Sequence, residues 1–168
     1  MVDPAAEFWR FSLAVYGRPG VAPACLSLQD RLGLDVNLLL FCCWAGARGH
    51  RLSGAELAAA LAAAAPWQRE IVEPLRRIRR QLKTPGALAP ADAAILYDQA
   101  KQLELAAEEA EQRLLAAAVP FVPREVDDRR QAAEAAANLR LYTHTAAGTL
   151  DEPATAALAA LAAGCRPA

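Results

Sequence analysis

The chain has 168 residues, a formal net charge of −1 and 55% hydrophobic residues. Ala supplies 42 of these and Leu 24, against 8 Val, 3 Ile and 10 aromatics. Such a composition favours helices packed through small side chains and excludes a sandwich or barrel of β-branched strands. Frequent Leu and near-zero net charge exclude a disordered chain, and a pI of about 6.1 gives no general pull toward nucleic acid or an anionic membrane.

In chain order, Asp3 as N-cap, Pro4 at the first helical position and Glu7 in the first turn predict a helix closed by Gly17. Residues 17–23 read as a turn-rich connector before a short helix over 24–32, with Cys25, Leu28 and Leu32 inward. Asp35 caps the next helix, apolar nearly all round and ended by Gly46 and Gly49, which marks the central buried element. Its apolar run, 38–47, is too short to span a bilayer. Ser53 and Glu56 form a capping box for a helix through Ala65, and Pro66 starts another. There Trp67, Ile71, Leu75, Ile78 and Leu82 make a helical stripe, with a kink or broken turn expected over 71–73 because of Pro74.

The longest predicted helix covers 91–118, with a heptad seam of Leu96, Ala100, Leu103, Ala107, Ala110, Leu114 and Ala117. Beyond Pro120 and Pro123, a helix over 129–145 carries the seam Ala132, Ala136, Leu139 and Thr143, and Asp151 caps a last one ending at Gly164. The two seams predict an antiparallel hairpin across 120–126. The fold class is therefore all-α, orthogonal or bundle-like, with a long C-terminal Ala-rich helical hairpin. Residues 1–118 form the helical core domain and 119–168 an Ala-rich extension packed on it.

Several separated motifs occur in order: FWRFSL from Phe8, YGRPGV from Tyr16, LDVNLLLF from Leu34 and PLRRIRRQLK from Pro74. Over roughly residues 7–118 the chain resembles a family of uncharacterised proteobacterial proteins, a domain of unknown function. The resemblance implies a bacterial cytoplasmic protein and supplies no activity, cofactor or catalytic residue.

The acidic N-terminus lacks the basic and apolar regions of a signal peptide. Cys25, Cys42, Cys43 and Cys165 read as buried thiols of a reducing cytoplasm, because adjacent Cys42 and Cys43 diverge by about 100° on a helix and suit neither a zinc knuckle nor a routine disulfide. His50 and His144 have no metal-ligand spacing, and no nucleophile, phosphate-loop or dinucleotide motif is present. These patterns call for neither metal nor cofactor, and an enzyme is the minority reading.

Residues 69–83 carry six bases and two acids, whereas 98–111 carry five acids and one base. The favoured reading sets these segments side by side in one molecule, which makes nucleic-acid binding through Arg69, Arg76, Arg77, Arg79, Arg80 and Lys83 the weaker alternative. Phe8, Trp9 and Phe11 cannot share one helix face, so one of them should reach a surface or groove. Asp30, Asp35, Asn37, Arg76 and Arg80 are candidates for a polar pocket beside Trp9 and Tyr16, although Asp35 also has a plain role as a helix cap. Function is read first as a non-enzymatic module that binds another protein or itself as a homodimer. The alternative is a small-molecule-binding protein or enzyme built on that pocket.

Overall fold

A computed structural model describes residues 3–84, 86 and 89–165, and these form an all-α fold. Asp3 caps α1 (Pro4–Tyr16) by accepting from the Ala5 amide. Helix α2 spans Val21–Leu32 and so begins earlier than expected. Gly20 takes a positive φ as its N-cap, and Pro23 sits in the first turn, where a missing N–H leaves no bond unmade.

The central helix, α3 (Val36–Ala47), is capped by Asp35 and buried continuously from Asn37 to Gly46. Gly46 does not end it. A Cβ at that position would lie 2.2 Å from the Ala135 backbone nitrogen, so this glycine lets two helices cross at van der Waals distance.

Helix α4 (Gly54–Trp67) opens on the expected capping box but runs through Pro66 rather than stopping there. It continues into a π-helical turn, Gln68–Val72, and then α5 (Glu73–Gln81). Pro74 has no N–H for the ladder, and the wider π turn lies immediately before it, close to where a break was expected. One extra residue turns the following face by about 100°. The anticipated stripe is therefore split: Val72 is fully buried, while Ile71 and Ile78 are exposed.

Helix α6 (Pro90–Ala118) agrees with the sequence reading, and α7 (Asp128–Ala147) and α8 (Glu152–Gly164) complete the chain. The heptad seam of α6 does not lie on one interface. Ala100 and Ala107 are buried, whereas Leu96, Leu103 and Leu114 face out. Nor do α6 and α7 form the predicted hairpin. Helix α7 lies along α3, α8 lies on α2, and α6 packs against α1, α4 and α5. The inward face of α7 is Ala135, Asn138, Leu139, Tyr142 and Thr143, offset from the expected seam. Asn138 fixes it to α3 by donating to the Cys42 and His50 carbonyls and accepting from the Leu52 amide.

Phe8 stacks on Trp44 at 4.9 Å and meets Phe41 edge-on at 5.6 Å. Around this aromatic group one core gathers Leu28, Leu39, Leu57 and Leu115 together with Leu139 and Leu161 from the Ala-rich C-terminal stretch. Two of the four cysteines depart from the expectation of buried thiols. Cys43 is bonded to Cys165, which ties α3 to the end of α8, and Cys25 and Cys42 are free and buried. The divergence of Cys42 and Cys43 on α3 is what aims only Cys43 at Cys165, across a Cα separation of 5.8 Å that suits a bridge. Among the described residues no helix is long and apolar enough to cross a membrane.

Candidate functional site

The site grows from the N-terminus of α3. The Asp35 side chain accepts from the Asn37 amide through Oδ1 (2.8 Å), and the Asp35 amide donates to Tyr142 Oη (2.9 Å). Asn37 is buried and bridges to α6: its Nδ2 donates to Glu111 Oε2 (2.8 Å) and its Oδ1 accepts from Gln112 Nε2 (2.9 Å). Gln112 Oε1 in turn accepts from Ser12 Oγ on α1 (3.0 Å). Gln68, at the start of the π turn, donates to the same Glu111 oxygen at 2.9 Å. Five polar side chains from α1, α3, α6 and the π turn thus make one connected interior network.

Glu111 is fully buried, and its carboxyl is pushed up to about 10. Burial is the main cause, followed by the charge and hydrogen bonding of Asp35; the donors Asn37 and Gln68 oppose it. Asp35 Oδ2 and Glu111 Oε1 are both buried with no other partner. A proton kept on Glu111 satisfies both oxygens at once, because Oε1 then donates to the Asp35 carboxylate.

Two adjoining clefts flank this network. The first, of about 350 Å³, has apolar walls from Trp9, Leu13, Tyr16, Leu26, Val36 and Leu40, with Ser12, Asn37 and Gln112 among its polar lining. Arg76, Arg79, Arg80, Lys101, Glu104 and Glu108 supply its charged lining. The second, of about 910 Å³, is lined by Asp30, Asp35, Gln68, Arg69, Glu73, Arg77 and Tyr142, together with Arg76 and Arg80. Gln29, Arg76 and Arg80 belong to both clefts and form the wall between them.

The seven pocket candidates named from the sequence all lie on one cleft or the other, while Lys83, named for nucleic acid, lines neither. Trp9, Tyr16 and Asn37 line the first, Asp30 and Asp35 the second, and Arg76 and Arg80 both. Of the aromatics on α1, Phe8 enters the core and Trp9 reaches the groove. His50 belongs elsewhere, hydrogen-bonded to Glu56 at 2.9 Å and stacked on Phe121. Among the described residues no group of three or more His, Cys, Asp or Glu is arranged to hold a metal ion.

The basic and acidic segments do lie side by side. Arg76 reaches Glu104 (3.3 Å) and Glu108 (3.1 Å), and Arg79 also binds Glu104. Burial pushes the Glu104 carboxyl up, but hydrogen bonds and charge from Arg79 and then Arg76 outweigh it and hold the group below its usual range. Glu108 moves the other way, because burial there outweighs the charge of Arg76. Arg80 makes only a 3.7 Å contact to Asp30, with both side chains largely in solvent.

Gln68, Glu104, Glu108, Glu111, Gln112 and Tyr142 were not among the sequence candidates. For Glu104 and Glu111 a signal existed, since they fall at three- and four-residue steps with Ala100, Ala107 and Leu115, all on one buried face. Gln68 carried none, because its reach depends on the π turn.

Residues 7–115 match the model of a family described as a protein of unknown function (DUF2390), and the chain belongs to that family. No curated protein and no solved structure matches it.

Proposed function

We propose that this member of a family without an assigned activity is a small-molecule-binding protein whose ligand lays an apolar body in the first cleft. The observation that carries the reading is the convergence of apolar walls with Ser12, Asn37 and Gln112, hydrogen-bonded to one another, on one concave site, the combination expected of a binding pocket. Ser12, Asn37 and Gln112 are already fixed by one another, so a ligand need not order them. That convergence puts the pocket ahead of the interaction module favoured by the sequence.

Trp9 on the wall provides a reporter. Titration with medium-chain carboxylic acids and aromatic acids should change tryptophan emission and raise the thermal unfolding midpoint. Leu13→Trp, at a half-exposed position on the wall, should fill the cleft and weaken binding at least tenfold without lowering the midpoint of the empty protein. A panel in which no apolar ligand raises the midpoint would refute the proposal.

The interaction reading is supported by Leu96, Leu103 and Leu114, exposed along α6, and by Val122, exposed at 81%. Light scattering that gives a monomer at all concentrations would remove the homodimer from it. Nucleic-acid binding is disfavoured because Glu104 and Glu108 already engage Arg76 and Arg79. The proposal keeps the cytoplasmic setting that the sequence suggests. With Cys43 bonded to Cys165, protein alkylated directly in the lysate should show two titratable thiols, Cys25 and Cys42; four would mean that the bridge is open in the cell.

A further inference from the structure

The second cleft differs in chemistry from the first, and the two share Arg76, Arg80 and Gln29 as a wall. Beyond that wall the second cleft adds Arg69 and Arg77 beside Leu34, Leu38 and Leu61, whereas the first sets Arg79 and Lys101 beside Trp9, Tyr16 and its leucines. We infer that the ligand of the first cleft is an amphiphile with a phosphate-ester head, and that Arg69, Arg77 and Arg80 in the second cleft receive the head. This inference rests on the proposed function, since the apolar cleft must hold the rest of the molecule.

Three observations support it. First, Arg76 is held on the wall between Glu104 and Glu108, with its side chain only 15% exposed, so it serves as fixed structure. Second, Arg80 is largely exposed, and its ion contact among the described residues, to Asp30, is at 3.7 Å, too long for a good hydrogen bond. Arg69 pairs with its neighbour Glu70, but both side chains are more than 60% exposed, where solvent screening makes such a pair readily exchanged. Third, Arg69, about two turns before Arg77, and Arg77 and Arg80, one turn apart, belong to one continuous helical segment and line a single concavity.

One carboxylate offers two oxygens and is satisfied by one guanidinium fork, whereas a phosphate monoester presents three terminal oxygens that several forks can share. Asp30, Asp35 and Glu73 also line the cleft, so the head replaces the Arg80–Asp30 contact and does not enter an empty cationic field.

Calorimetric titration with decyl phosphate, decanoate and inorganic phosphate, each below micelle formation, tests the inference on the intact chain and on the Arg69→Gln/Arg77→Gln and Leu13→Trp variants. Decyl phosphate should bind at least tenfold more tightly than decanoate. The double variant should lose that advantage while keeping its decanoate affinity and its unfolding midpoint. Leu13→Trp should weaken both alkyl ligands together. Equal affinity for the two alkyl ligands, or an advantage that survives in the double variant, overturns the phosphate head and leaves the apolar cleft standing. Inorganic phosphate binding as tightly as decyl phosphate overturns it in favour of a free-anion site. If neither alkyl ligand binds, the proposed function falls and this inference with it.

Discussion

Replacing Glu111 by Gln should make the protein more stable at neutral pH, and increasingly so as pH rises. In the folded chain Glu111 keeps a proton that an ordinary glutamic acid, with a pKa of 4.5, releases on unfolding. Between that value and the raised folded value the native state binds one proton more than the unfolded state. Unfolding free energy therefore falls by about 1.4 kcal/mol per pH unit from this group, with the full contribution present below the unfolded pKa and lost progressively as pH climbs. Gln presents the same shape without the proton: its oxygen accepts from Asn37 and Gln68, and its amide donates to Asp35 Oδ2. Between pH 6 and pH 8 the variant should gain about 2–3 kcal/mol on the wild type. Urea denaturation at four pH values measures the gap directly. Glu111→Ala is the contrasting case, because it strands the buried Asn37 donor at about 1–3 kcal/mol and the half-buried Gln68 donor at less, and should destabilise at every pH. Parallel stability curves for wild type and Glu111→Gln would refute the proton-holding pair.

Gly46→Ala should destabilise by about 3 kcal/mol, because its Cβ would meet the Ala135 backbone at 2.2 and 2.3 Å and no side-chain rotation relieves that. Gly54→Ala, whose Cβ meets nothing within 4 Å, should be neutral or stabilising by about 0.5–1 kcal/mol in the same thermal melts. Glu104→Gln removes the charge shared by Arg76 and Arg79 and should cost about 1–3 kcal/mol at pH 7. That loss should shrink as pH falls below the ordinary glutamate value, since the depressed carboxyl stabilises the fold only while ionised. Denaturation at pH 7 and pH 4 checks both statements.

Local signals were legible wherever the chemistry is local. Asp3, Asp35, Ser53 and Asp151 each cap the helix expected of them, because a short acceptor reaches an amide two or three residues away whatever the tertiary structure. Pairing between helices was less legible. An Ala/Leu heptad fits several partners, and α7 was decided by Gly46 and Asn138, features outside any seam. The wall of the site was readable from the opposed charges of 69–83 and 98–111, whereas its depth was not. Nothing in the sequence near Pro74 says that a π turn will deliver Gln68 to Glu111, and nothing near Asp35 announces a second carboxyl 76 positions away.

The alanine surplus and the buried polar network have a common physical basis. On the inward face of α6, Ala93, Ala100, Ala107 and Ala116 hold neighbouring helices close, and Trp67 Nε1 donates straight to the Ala107 carbonyl at 2.9 Å. The small side chains leave room for long polar ones, and Glu104, Glu111 and Gln112 extend from that face beside the buried Leu115. They meet partners from α1, α3, the π turn and α5. A face of leucines would have buried more apolar area but would have kept these helices too far apart for the contacts. The helix exchanges hydrophobic area for polar convergence, and the two clefts lie where that exchange occurs.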